Sequence, residues 1–313
     1  MRAAIIEDGQ LNVGERPDPE PGSGELLVRV RAAGLNGADM LQRKGAYPAP
    51  PGSPADIPGL ELAGEVAARG PGAERFEEGE RVMAIVGGGG QAELALVHER
   101  AAMPVPEGLD WPKAGGLPEV FVTAHDALFS QAELRPGERL LVHGGAGGVG
   151  TAAVQLGGAA GARVTATVRN EELRDEVGRL GANAIDPDGF EEEGPFDVVL
   201  ELVGAPNLEG NLKSLATGGR IVVIGVGAGA KSEINLVALM GKRGTLRGST
   251  LRARPLEEKA RAMRLVEHEV LPLFEDGRLH VPVAATFPLD EVEQAYERFE
   301  SGGKLGKIVL LTD

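Results

Sequence analysis

Three glycines, Gly145, Gly147 and Gly150, stand at G-x-G-x-x-G spacing within LLVHGGAGGVGTAAVQLGGAAGARVTATVRN, residues 140–170. Glycines so spaced give a sharp turn without side chains, which lets a pyrophosphate approach backbone N–H groups at the positive end of a helix. The pattern alone is weak, but here the apolar run RLLVH precedes it, an Ala-rich helical stretch follows, and a second strand, RVTATV, comes next. The chemistry predicted is dinucleotide binding, with Gly145, Ala146, Gly147, Gly148, Val149 and Gly150 as the phosphate loop. Beyond the second strand Val168 is followed by Arg169 and Asn170. An NAD-preferring site places Asp or Glu there, about 20 residues past the first glycine, to hold the ribose hydroxyls. A guanidinium instead binds a 2′-phosphate through charge-assisted hydrogen bonds. NADPH is the expected cofactor, and a merely solvated Arg169 is the competing reading.

Other chemistry is restricted by composition. The chain has no cysteine, which removes disulfides, thiolate nucleophiles and Cys-ligated metal. Its five histidines, His98, His125, His143, His268 and His280, show no metal-ligand spacing. A formal charge of −15 argues against a nucleic-acid partner, since phosphate binding needs clustered Lys and Arg. No run approaches the roughly 20 apolar residues of a membrane-spanning helix. The opening MRAAIIEDGQ is too short in apolar residues for a signal-peptide core, so a cytoplasmic location is expected.

The elements that must position these residues fall into three stretches. Residues 1–120 read as short alternating strands with Gly/Pro turns, a β-rich domain. From Arg139 the continuous apolar runs RLLVH, RVTATV, FDVVLELVG and GRIVVIGVG alternate with helical segments, the pattern of an α/β doubly wound parallel sheet. Ala260, Met263, Leu265, Val266 and Val270 then fit one helix face, and GKLGKIVLLTD reads as a last strand that returns to the first domain. The expected division is 1–120 with 267–313, and 121–266 for the dinucleotide-binding domain.

The segments AAGLNGADMLQRKGAYPAPPGSPADIPGLELAGEVAARGPG, GGGGQAELALV, GGAGGVGTAAVQL and GKLGKIVL together resemble the quinone oxidoreductase (zeta-crystallin-like) branch of the medium-chain dehydrogenase/reductase superfamily. Within it, GAYPAPPG, RGSTLRAR and LPLFEDGRL are similar to the tumour-suppressor-inducible subgroup. The resemblance implies a GroES-like catalytic domain made from both chain ends, an inserted Rossmann domain, NADPH in a cleft between them, and a homodimer built through the sheet edge near TLRGSTL. Zinc alcohol dehydrogenases of the superfamily carry a Cys ligand where Asn36 stands and a His ligand where Leu60 stands, and a four-cysteine zinc lobe that is missing here. A zinc-independent reductase is expected.

A quinone or conjugated enone needs less polarisation than a simple ketone, because the added negative charge is delocalised onto oxygen. Positioning plus one or two hydrogen-bond donors suffices. Asn36 and Tyr47 are the expected donors; otherwise Asn36 is a capping side chain and Tyr47 packs on Pro48 and Pro51. The resemblance further places Thr123 near the nicotinamide, Val203, Gly204, Gly225 and Val226 near the nucleotide, and Lys307 either at a phosphate or in solvent. The substrate readings left open are a quinone, an enone or enal, and an enoyl thioester, with a non-catalytic NADPH-binding protein as the alternative of another class.

Overall fold

A computed structural model of the chain describes residues 1–312. The chain forms two compact units: 1–122, 251–302 and the stretch from 307 onward make the first, 123–250 and 303–306 the second.

The first unit opens with the antiparallel hairpin β1 (Arg2–Glu7) and β2 (Gln10–Glu15). It continues with β3 (Glu25–Gly34), α1 (Gly37–Arg43), β4 (Glu61–Arg69), β5 (Arg81–Ile85), β6 (Leu94–His98), β7 (Ala102–Pro104), α2 (Trp111–Gly115) and the start of α3 (Pro118–His125). The period-two alternation of β3 buries Leu26, Val28 and Val30 against Leu62 and Val66 of β4 and Val82 and Ala84 of β5.

The second unit carries β8 (Arg139–His143), α4 (Gly148–Ala159), β9 (Arg163–Thr167), α5 (Arg174–Arg179), β10 (Asn183–Ile185), β11 (Phe196–Glu201), α6 (Leu208–Ser214), β12 (Leu215–Val223), α7 (Leu236–Lys242) and β13 (Thr245–Gly248). Its six strands pair in the order β10-β9-β8-β11-β12-β13, all parallel. This is the Rossmann order, with the reversal at β8 and β11. Leu140, Leu141 and Val142 of β8 and Val198, Val199 and Leu200 of β11 are fully buried, which is why these strands read as unbroken apolar runs.

The chain then gives α8 (Leu256–Glu269), α9 (Leu271–Glu275), β14 (Val283–Pro288), α10 (Val292–Glu300) and β15 (Lys307–Leu311), all in the first unit. β15 runs parallel to β14 and antiparallel to β3, placing Ile308 and Leu310 against Tyr296. The second boundary therefore falls at 250, not at 266. α8 packs against β7, and its Glu267 pairs with Arg75 at 2.5 Å, so the whole helix belongs to the first unit. Its buried face is Ala260, Ala262, Met263 and Val266, followed by Val270, while Leu265 is only partly buried. Among the described residues no helix is long and apolar enough to cross a membrane.

Candidate active site

In the second unit the glycine loop joins β8 to α4. Gly144 turns the chain with φ +70°, and Gly147 caps α4, whose first N–H groups have no partner within the helix. A Cβ on Gly150 would lie 2.2 Å from the Gly144 carbonyl oxygen, and one on Gly145 2.7 Å from Ala166 Cβ, so both glycines are demanded by the turn itself. A Cβ on Gly147 would meet only the Gly144 oxygen, at 3.4 Å. That glycine faces open space, where a phosphate would lie. Gly306 donates its N–H to Ala146 O at 2.8 Å and holds the loop from outside.

Glu201, at the end of β11, is buried and shapes the neighbouring loop. Its Oε1 accepts the N–H groups of Val203 and Gly204 at 2.7 and 2.8 Å and Asn207 Nδ2 at 3.3 Å, while Oε2 accepts Asn211 Nδ2 at 2.8 Å. Asn211 Oδ1 lies 2.7 Å from His143 Nε2, which must therefore carry the ring proton. His143 Nδ1 is then an acceptor for the Thr167 hydroxyl at 3.1 Å, and Thr167 Oγ1 accepts the Gly144 N–H at 3.3 Å. Burial pushes the imidazole below its ordinary pKa and keeps it neutral. One polar chain thus ties the loops after β8 and β11 together.

The expected nucleotide residues are gathered at the carboxyl ends of these strands: Gly145, Ala146, Gly147, Gly148, Val149 and Gly150 after β8, Val203 and Gly204 after β11, Gly225 and Val226 after β12. Arg169 and Asn170 follow β9. Asn170 caps the next turn by accepting the Glu172 N–H, whereas Arg169 is exposed and without a hydrogen-bond or ion-pair partner among the described residues. Arg174 is engaged with Val168 O and Asp186. Thr123 is buried, its hydroxyl unpartnered. The cradle, the free helix N–H groups and the free guanidinium fit a dinucleotide.

In the first unit a second polar cluster closes around Lys307. This residue is 2% exposed; its Nζ lies 2.6 Å from Glu61 Oε1 and donates to Leu35 O and Asn36 Oδ1, both at 2.7 Å. Lys307 neither faces solvent nor reaches a phosphate, because its ammonium is spent on these three oxygens. Asn36 Nδ2 donates to Glu61 Oε1 at 2.9 Å and Gly34 O at 3.3 Å, so the amide is not the unoccupied donor that was expected. The Asn36 N–H goes to Asp39 Oδ2 at 2.8 Å, and the Gly59 N–H to Asp39 Oδ1 at 3.1 Å. Burial pushes the Asp39 carboxyl up to about 7 despite these bonds.

Glu119, at the start of α3, donates its N–H to Glu61 Oε2 at 2.9 Å. Its side chain is partly exposed, yet Oε2 is buried without a hydrogen-bond partner. Burial, reinforced by the Glu61 charge, pushes this carboxyl up to about 8.

Tyr47 follows α1 on a proline-bordered loop, and its ring is covered by Arg252, whose guanidinium carbon lies 5.2 Å from the ring centre. Arg252 is 2% exposed and donates to Gly87 O at 2.8 Å, Tyr47 O at 3.0 Å and Gln42 Oε1 at 2.5 Å. It locks the loop to α1. The Tyr47 hydroxyl makes no hydrogen bond to a described residue, and burial pushes the phenol pKa up, so the hydroxyl keeps its proton.

Sequence reasoning missed Glu61, Glu119, Glu201 and Arg252. For Glu61 and Glu201 a signal exists: each is a lone carboxylate inside an apolar run, GLELAG and VVLELVG.

The model described as alcohol dehydrogenase GroES-like domain matches residues 22–107, and the one described as zinc-binding dehydrogenase matches 182–310. The rat (Rattus norvegicus) quinone oxidoreductase is 34% identical over 306 residues, covering 94% of this chain and 91% of its own. The chain belongs to the quinone oxidoreductase branch of the medium-chain dehydrogenase/reductase superfamily. An alcohol dehydrogenase superfamily protein from Novosphingobium aromaticivorans superposes with a TM-score of 0.88 at 30% identity, covering 100% of both chains. A thermostable alcohol dehydrogenase from Pyrobaculum aerophilum, described as cobalt and zinc bound, gives 0.85 at 30% identity over 99% of each chain. For this member of the superfamily the donor set does not fit zinc. Asn36 and Glu61 are committed to the Lys307 ammonium, a cation already in place, and among the described residues no three His, Asp or Glu side chains are grouped to hold a metal.

Proposed function

We propose that this oxidoreductase is a zinc-independent, NADPH-dependent reductase that delivers hydride to a quinone. The observation that carries the reading is the Tyr47 hydroxyl, protonated and unpaired, in a unit where Lys307 takes the place of a metal cation. Tyr47 donates a hydrogen bond to the acceptor oxygen as negative charge develops there. Asn36 acts behind it, orienting Lys307 and Glu61 rather than touching the acceptor. When bound, the nicotinamide supplies the hydride. Gly145–Gly150 would hold the pyrophosphate, Val203, Gly204, Gly225 and Val226 the nucleotide beyond the strand ends, Thr123 the nicotinamide end, and Arg169 with Asn170 the 2′-phosphate.

A homodimer belongs to the same reading. β13 is an edge strand, and Leu236, Val237 and Met240 of α7 with Leu246 of β13 are large exposed apolar side chains, a surface suited to a second copy. Sedimentation velocity tests this, and a monomer at micromolar concentration contradicts it.

The function is tested by steady-state oxidation of NADPH and NADH against quinones, enals and enoyl-CoA esters. Quinones are expected as the best acceptors. Tyr47→Phe should lower kcat/KM by about 5- to 150-fold, the worth of one hydrogen bond of about 1–3 kcal/mol. Arg169→Ala should remove an NADPH preference of roughly 10- to 150-fold. Equal use of NADH by the wild type, or turnover confined to enoyl esters, would overturn the cofactor or the substrate assignment respectively.

A further inference from the structure

We propose that Glu119 is the proton donor that completes reduction of the acceptor; the proposal rests on the reductase reading above. Hydride brings two electrons and one hydrogen to the acceptor, and a second hydrogen must arrive as a proton. Tyr47 can stabilise the oxyanion, but a phenol with a raised pKa is a poor source of that proton at neutral pH. Glu119 is built differently. Its backbone N–H is anchored to Glu61 Oε2, its side chain is partly exposed, and its buried Oε2 has no partner. A carboxylate left so would be costly, whereas a carboxylic acid is tolerated.

The charges around it define when the proton is held. Glu61 of β4 and Asp39 of α1 disfavour ionisation, while Lys307 of β15 and Lys259 of α8 favour it. Hydrogen bonds lead from Glu119 to the Tyr47 loop: its N–H meets Glu61, Glu61 Oε1 accepts from Asn36 at the start of α1, and at the other end of that helix Gln42 accepts from Arg252, which also donates to Tyr47 O. Burial and Glu61 prevail, and the pKa of about 8 leaves the group mostly protonated at neutral pH. In the step itself the acceptor oxygen, having gained the electron pair, forms an O–H bond as the Glu119 O–H bond breaks. The carboxylate left beside Glu61 regains a proton from solvent.

The test is the pH dependence of kcat/KM for quinone reduction by NADPH in the wild type, Glu119→Gln and Glu119→Asp. The wild type should lose activity as pH rises through about 8. Glu119→Gln, which keeps the backbone bond to Glu61, should fall roughly 100-fold at neutral pH and lose that alkaline limb. NADPH affinity, measured by fluorescence titration, should be unchanged. Glu119→Asp should keep the limb at an intermediate rate, which separates proton donation from packing. Turnover in Glu119→Gln with the wild-type rate and limb would overturn the donor role alone. Absence of turnover in the wild type with every acceptor would overturn the reductase reading, and the donor role with it.

Discussion

Glu201 in the second unit and Glu119 in the first both carry buried carboxyl oxygens, but their partners differ. Both oxygens of Glu201 are occupied, by four donors from Val203, Gly204, Asn207 and Asn211. Glu119 has one buried oxygen that nothing meets, and a charged neighbour, Glu61, that opposes its ionisation. A buried polar network that is fully satisfied fixes geometry, and one that is left incomplete stores chemistry. The second unit uses its carboxylate to set the loops after β8 and β11, whereas the first keeps one ready to exchange a proton.

The comparison is broken most severely at Glu201. A glutamine there offers one carbonyl oxygen in place of two carboxylate oxygens, so its amide N–H₂ must face at least one donor. Glu201→Gln should cost about 3 kcal/mol or more of stability and weaken NADPH binding, read from the urea midpoint and a cofactor titration. Glu119→Gln should do far less, changing stability by about 1 kcal/mol or less in mild acid. With rising pH it should gain on the wild type. The folded Glu119 carboxyl binds its proton more tightly than the unfolded chain, about 8 against 4.5. The wild type therefore loses that contribution progressively as pH climbs from 4.5 to about 8, and the amide, which does not titrate, is spared the loss. If Glu119→Gln destabilises as much as Glu201→Gln, the contrast between the two carboxyls fails.

What the sequence disclosed follows from the range of each interaction. The glycine loop and the strand runs around it are local patterns, and the Rossmann sheet could be read from them because its central strands, β8 and β11, are buried on both faces. Lys307 was misread because its partners, Glu61 and Asn36, lie in distant segments and nothing within GKLGKIVL announces burial of the ammonium. Arg252 escaped for the same reason, since its three acceptors come from α1, the Tyr47 loop and the turn at Gly87. The division at 250 rather than 266 was hidden because the apolar face of α8 shows that the helix packs without saying on which unit. Glu119 lies at the start of α3, where a carboxylate usually favours the helix dipole, so its type and position gave no warning of a raised pKa.

The claim that Glu119 holds a proton while the second unit's network only holds shape is tested most directly by infrared titration of the carboxyl C=O stretch through about pH 8. The wild type should show a protonated-carboxyl band that disappears across that range, and Glu119→Gln should lack it while retaining the Asp39 band that titrates nearer 7. A spectrum left unchanged by Glu119→Gln would mean that Glu119 is already ionised at neutral pH, and would contradict the account.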